Sequence, residues 1–285
     1  MNYLKSNKFK IVFCLSLVIY ILFCQSCARM RMSARQTRSF FKESKTVFLD
    51  SSIVVDGDNV HFIQTGNNRN PTLFFIHGSP GSWDAYKAYL KDSLLLRKFR
   101  LIAIDRPGFG YSDFGNAKNL FAQAQIIEKF VRRFKNGKSI FLVGHSYGGP
   151  LVVQMAVDKP KDYNGIVVLS GAVDPDAENP ENWRLYFTLK PIRYLVPGAL
   201  RPANDELWWL KNDLKVMKPT LNKISTNVVL IHGTKDRLVP YANVSFMKSQ
   251  FTQAKTISVV SIQNADHFIP WTHFDIIRNK LLELH

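Results

Sequence analysis

Cysteine is scarce and confined in this chain of 285 residues: Cys14, Cys24 and Cys27 are the only three, so nothing after residue 27 is cysteine. That excludes a disulfide framework and a cysteine metal site from the body of the protein. Acidic residues are missing from positions 1–42, which hold eight Lys and Arg and so carry half of the formal net charge of +16. The remaining basic residues are scattered among acids, with no basic helix and no aromatic-interleaved basic stretch. A nucleic-acid partner is therefore not expected. The rest of the composition, 46% hydrophobic and 21% charged, suits a globular protein with one large core.

The N-terminus reads as targeting. A lysine-bearing start, "MNYLKSNKFK", precedes the apolar run "IVFCLSLVIYILFC" and then "QSCARM". This order resembles a bacterial secretory signal. Ser26-Cys27 resembles a lipobox, at which the cysteine of a lipoprotein is acylated, although Cys24 stands where that pattern has leucine. The apolar run is short of the about 20 residues a membrane span usually takes. An uncleaved N-terminal anchor is the alternative, and either form places the protein in the bacterial cell envelope, tethered to a membrane. Residues 1–27 are thus assigned to the leader and 28–49 to a basic tether, whose arginines either rest on anionic headgroups or belong to a solvated linker.

From residue 50 the pattern changes to short apolar strands alternating with helices. "SSIVV" and "VHFIQT" flank Asp56-Gly57, a hairpin turn signal. "TLFFIHG", "FRLIAID", "SIFLVG", "YNGIVVLSG", "NVVLIHG" and "TISVVSI" read as buried strands. Helices are expected at Trp83–Leu95, Leu120–Phe134, Ser146–Val157 and Trp271–Leu284. β-Branched apolar strands separated by helices predict an α/β fold with a mostly parallel sheet covered on both faces and an antiparallel start.

Within that pattern, "LVGHSYGGP" sets Ser146 at a sharp turn from strand to helix, with Gly144 and Gly148 leaving room for it. A serine needs a base, and the base needs an orienting acid. Asp236 follows the strand "NVVLIHG" and His267 follows "TISVVSI", each just past a strand's carboxyl end. Asp174, after the preceding strand, is a rival acid. Asp266 is read as structural, as are His77, His145 and His232 beside the site. No metal or organic cofactor is expected.

"HGSPGSW", "DRPGFGYSD" and "GHSYGG", in this order and with the late Asp and His, resemble the motifs of the α/β-hydrolase superfamily, from about residue 50 to the end. The resemblance implies the α/β-hydrolase fold, with Ser146 as nucleophile, His267 as base, Asp236 as acid, and the N–H groups of Ser79 and Tyr147 as oxyanion hole. It also implies a core at 50–172 and 225–285 with a helical cap at 173–224. Relatives resembling epoxide hydrolases carry aspartate at the elbow, so serine here points to an acyl-enzyme. The expected reaction is hydrolysis of a small hydrophobic ester. Trp183, Tyr186, Phe187, Trp208 and Trp209 are expected either to line the substrate pocket or to pack the cap. A C–C bond hydrolase, an aminopeptidase like the proline iminopeptidases, and a non-catalytic binding protein on this scaffold are the alternatives.

Overall fold

The computed structural model describes residues 2–26, 28–179 and 181–285. Its centre is a sheet of eight strands: β1 (Phe48–Val55), β2 (Asp58–Thr65), β3 (Thr72–Ile76), β4 (Arg100–Ile104), β5 (Ile140–His145), β6 (Gly165–Leu169), β7 (Asn227–Gly233) and β8 (Thr256–Ile262). Their order across the sheet is β1-β2-β4-β3-β5-β6-β7-β8. The first two form an antiparallel hairpin in which Val55 pairs with Asp58, and β2 runs antiparallel to β4. Asp56 and Gly57 at its tip have φ of +52° and +89°, the left-handed pair that a two-residue hairpin demands. From β4 onward every pairing is parallel.

Every residue of β3, β4, β5 and β6 is buried, as their unbroken apolar composition predicts for strands covered on both faces. The period of two sorts side chains between two cores. In β3, Phe74 and Ile76 join the core that holds Phe130 and Leu151, while Leu73 and Phe75 join the one that holds Trp83, Tyr86 and Leu281.

Two expected helices are each broken into pieces. The segment from Trp83 begins as a 3-10 turn (Trp83–Tyr86) and a short α-turn (Lys87–Leu90), after which Asp92 starts a new helix, Ser93–Lys98. The Asp92 carboxylate accepts the N–H groups of Leu94 and Leu95 at 3.0 and 2.9 Å, a local cap that apolar periodicity does not reveal. The closing helix is likewise divided, into Ile269–Thr272 and Phe274–Leu282.

The basic segment after the leader is not all linker. Ala34–Glu43 is a helix opened by a capping box between Ser33 and Gln36. It is held down by Phe41, which is fully buried and stacks on Phe48 at 4.4 Å. Before it, Asn2–Ser26 forms one helix whose window Asn7–Cys24 is long and apolar enough to cross a membrane, by length and composition. Cys27, the expected acylation site, lies outside the described residues.

Between β6 and β7 the chain leaves the sheet through 3-10 segments at Asn182–Thr188 and Ile192–Leu195, the helix Leu200–Met217 and a final 3-10 segment at Lys218–Lys223. Because β3 to β8 are mutually parallel, the loops that follow them open on one edge of the sheet. Gly78, Ser146, Asp236 and His267 all lie in those loops.

Candidate active site

Ser146 follows β5 directly with φ +52°, a left-handed conformation that costs a serine about 1–3 kcal/mol and persists only where its surroundings enforce it. The enforcement is steric. A Cβ at Gly144 would lie 2.0 Å from the Gly148 carbonyl oxygen, and one at Gly148 would lie 2.2 Å from that of Ile76. The Ser146 N–H donates to the Leu169 carbonyl at 3.0 Å, tying the turn to the end of β6. Gly78 crosses so close that a Cβ there would meet the Ser146 Cβ at 2.8 Å.

Asp236 and His267 meet at the ends of β7 and β8. The Asp236 carboxylate accepts the N–H groups of Leu238 and Val239 at 2.9 and 2.8 Å through one oxygen, and its other oxygen lies 2.8 Å from His267 Nδ1. Its side chain is fully buried. Burial pushes the carboxyl pKa up, but hydrogen bonds from His232, His267 and the Val239 N–H outweigh that and hold it well below the ordinary carboxylate value. An ionised Asp236 fixes the His267 proton on Nδ1 and leaves Nε2 as an acceptor. His232, buried at the end of β7, donates to the Val239 carbonyl at 2.9 Å. The rival Asp174 is engaged elsewhere, accepting the Asp176 N–H at 2.9 Å, and Asp266 accepts that of Phe268.

His145 packs its ring 4.7 Å from that of His267 and donates from Nε2 to the His267 carbonyl at 3.0 Å. Burial, reinforced by neighbouring His267, lowers its pKa to about 3. In the unfolded chain it titrates near 6.5. Between these values the unfolded state binds the extra proton, so stability falls as pH falls, by about 1.4 kcal/mol per pH unit, and levels off below the folded value. His145→Gln retains a donor and removes the titration. The drop in Tm between pH 7.5 and pH 5 is expected to be smaller in that variant than in the natural chain; an equal drop in thermal unfolding overturns the assignment.

The loop after β3 is held from below. His77 donates from Nδ1 to the Gly78 carbonyl at 2.7 Å and accepts the Arg106 N–H at Nε2 at 3.0 Å. Arg106 Nη2 donates to the same Gly78 carbonyl, also at 3.0 Å. Burial, together with the Arg106 charge, keeps the His77 pKa well below its ordinary value. Arg106 is itself fully buried and paired in a fork with Glu206 at 2.7 and 2.8 Å, with Gln123 bridging the two. Glu206 belongs to the helix Leu200–Met217, so this ion pair fastens the inserted segment to the sheet. Sequence reasoning missed it: "DRPGFG" marks Arg106, but nothing along the chain marks its partner 100 residues away.

Ser79, Ser146, Tyr147 and His267 line one cavity of about 1210 Å³. None of the five aromatics expected as pocket residues is in its wall. Trp183 and Tyr186 are exposed, and Phe187, Trp208 and Trp209 are half-buried. On the helix Leu200–Met217 the residues that reach the cavity are Leu207 and Leu210, three apart on one face, which turns Trp208 and Trp209 off that face. Aromatic content alone does not say which way a helix is rotated. Phe268 and Trp271 supply the aromatic surface instead, and the leader-proximal Met30, Arg31 and Met32 complete part of the wall. Among the described residues no cluster of His, Cys, Asp and Glu could hold a metal ion.

Comparison with known proteins agrees with this architecture. A family model described as alpha/beta hydrolase fold matches residues 71–194. The uncharacterized hydrolase YugF of Bacillus subtilis is 31% identical over 266 residues, covering 80% of this chain and 95% of its own. The bifunctional esterase/perhydrolase DCH of Acinetobacter calcoaceticus is 26% identical, covering 80% and 96%. With two further curated relatives the match spans only about a third of their length, 37% and 33%. Among solved structures, that of a membrane phospholipase A, a bacterial virulence factor, superposes with a TM-score of 0.64 at 19% identity, covering 99% of this chain and 100% of the other. With the 31% identical hydrolase of Bacillus subtilis matched over 95% of its length, and with the eight-stranded sheet in place, the chain belongs to the alpha/beta hydrolase family.

Proposed function

We propose that this protein is a serine hydrolase of carboxylic esters with a hydrophobic acyl or alcohol part, held at a membrane by its N-terminal helix. The observation that carries the reading is Ser146, strained at φ +52° in the wall of a large cavity that it shares with His267, whose Nδ1 is bound by Asp236. Ser146 Oγ attacks the ester carbonyl carbon as His267 Nε2 takes its proton. The carbonyl oxygen becomes an oxyanion facing the N–H groups of Ser79 and Tyr147. The C–O bond then breaks, the proton on His267 passes to the departing alcohol, and a water activated by the same imidazole releases the acid from Ser146.

The network beneath the loop supports the oxyanion role of Ser79. Its N–H shares a trans peptide unit with the Gly78 carbonyl, so it points opposite to a carbonyl fixed by both His77 and Arg106. The segment 173–224 acts as a cap, fastened by Glu206. The name of the full-length esterase/perhydrolase relative supports ester chemistry. An aminopeptidase is the second reading, because Glu178 and Glu181 line the cavity and carboxylates bind a substrate ammonium. Against it, Glu181 is already paired with Arg184, and burial raises the pKa of Glu178, favouring its neutral form.

The test is to treat the full chain, in detergent, with a fluorophosphonate and to map the adduct by mass spectrometry, beside turnover of p-nitrophenyl esters from acetate to palmitate and of aminoacyl p-nitroanilides. A single adduct on Ser146 with turnover rising toward medium or long acyl chains is expected. Preferential anilide cleavage would select the aminopeptidase, and an unlabelled chain inert to both substrates would overturn the hydrolase. The mass of the mature N-terminus distinguishes an acylated Cys27 from an intact leader.

A further inference from the structure

We infer that the cap segment Trp183–Leu195 is a bilayer-docking surface, and that Ser146 takes its acyl ester from the membrane, as a lipid already resident in the leaflet. The inference rests on the hydrolase reading for its chemistry but on separate observations for its geometry. In this stretch Trp183, Tyr186, Leu189 and Ile192 are 48, 63, 50 and 39% exposed, and neither of its two 3-10 segments contains a buried residue. Large apolar side chains scattered singly over a surface need no explanation; with Leu185, 42% exposed, there are five within ten residues, and they mark an interaction face.

The occupant follows from what adjoins the segment. Tyr20 Oη donates to the Leu195 carbonyl at 3.3 Å, and Cys24 Sγ approaches the same oxygen at 3.4 Å. The Gly198 N–H donates to the Cys24 carbonyl at 2.8 Å, and the Ala199 N–H to that of Ala28 at 2.9 Å. The cap is therefore fastened to the last turn of the apolar window Asn7–Cys24. Tyr20 lies four residues before the end of that window, about 6 Å along the helix axis. Interfacial segments sink their apolar residues about 5–10 Å into the headgroup and acyl boundary, so Ile192 and its neighbours sit at that depth once the helix is in a membrane. Lys190, Arg29 and Arg35 flank the junction with positive charge, and residues 1–42 contain no acid to oppose it. An anionic leaflet is the complementary surface, contributing about 1 kcal/mol per basic residue close to it.

The cavity adjoins the same junction. Met30, Arg31 and Met32 form part of its wall, beginning six residues after Cys24. Six residues reach at most about 20 Å when fully extended. Its 1210 Å³ exceeds the about 300–1,000 Å³ usual for small-molecule sites, room for a long acyl chain.

The experiment uses the full chain reconstituted in vesicles of phosphatidylcholine with one quarter phosphatidylglycerol. Bromination of the lipid acyl chains close to the headgroup is expected to quench a part of the tryptophan emission that Trp183→Phe removes. In the same vesicles Trp183→Asp with Tyr186→Asp is expected to lower turnover of a fluorogenic phospholipid at least tenfold while turnover of p-nitrophenyl butyrate stays within twofold. Quenching that is identical in the natural chain and Trp183→Phe, or phospholipid turnover unchanged by the double substitution, overturns the docking surface. Equal loss on both esters also overturns it, since the residues would then act on folding or chemistry. A natural chain unlabelled by the fluorophosphonate and inert to both the phospholipid and butyrate defeats the hydrolase reading, and the quenching arm still decides the docking.

Discussion

Ser146→Ala is expected to lower kcat for p-nitrophenyl ester hydrolysis by about 10⁶-fold, to the level that binding and oxyanion stabilisation supply without a nucleophile. The Oγ is the only atom removed, and no hydrogen bond that holds the elbow passes through it: the turn is fixed by the Ser146 N–H on Leu169 and by Gly144 and Gly148. Far-UV circular dichroism and Tm are therefore expected to stay near those of the natural chain, which separates loss of chemistry from loss of fold. Ser146→Gly sharpens the test. It removes the same nucleophile and also relieves the left-handed backbone at φ +52°, so it is expected to raise stability by about 1 kcal/mol while remaining inactive. Activity of Ser146→Ala within tenfold of the natural chain would place the nucleophile elsewhere. A stability–activity trade at one residue is what a strained functional turn entails.

The second large effect is at the ion pair beneath the Gly78 loop. Arg106→Met leaves the Glu206 carboxylate, wholly buried, without its cation, and is expected to destabilise the protein by about 3–5 kcal/mol. Arg106→Met with Glu206→Met replaces a buried charge pair by packed thioethers and is expected to recover part of that loss, the remainder being the buried Gln123 amide, which loses its bonds to both. Denaturant unfolding of the two variants measures this directly, and a double variant as unstable as the single one would contradict it. The double variant still lacks the Nη2 donor to the Gly78 carbonyl, so only His77 orients that peptide. Its kcat is expected to fall about 10- to 100-fold with KM changed little, since a misoriented oxyanion donor is felt in the transition state and not in substrate binding. An unchanged kcat would reduce Arg106 to a cap fastener.

Much of the fold is legible along the chain because its signals are local. The buried strands are unbroken β-branched runs, the hairpin announces itself by Asp56-Gly57, and the elbow by glycines whose missing side chains are required within two or three residues of Ser146. Ser146, Asp236 and His267 could be picked out as candidates because each lies within five residues of a strand's carboxyl end, and parallel strands bring their ends to one edge whatever the separation in sequence. Helix interruption was harder. The restart at Asp92 turns on one carboxylate reaching two N–H groups, a preference of a few tenths to about 2 kcal/mol that hydrophobic periodicity does not register.

By itself, then, the sequence determined the sheet, its antiparallel beginning, the sharp turn at Ser146 and the insertion after β6, since each depends on backbone sterics and apolar pattern over a handful of residues. Tertiary structure alone decided which side chains meet. It chose Asp236 over Asp174 as the partner of His267, by a 2.8 Å contact across two strand ends. It turned Leu207 and Leu210, not Trp208 and Trp209, toward the cavity, and joined Arg106 to Glu206 across 100 residues. It also folded part of an apparent linker onto the body through Phe41, and brought Met30 to Met32 into the cavity wall. These pairings are non-local: their energies come from burial and from the distance between groups that only the closed chain brings together, and no stretch of sequence short enough to read as a motif contains both partners.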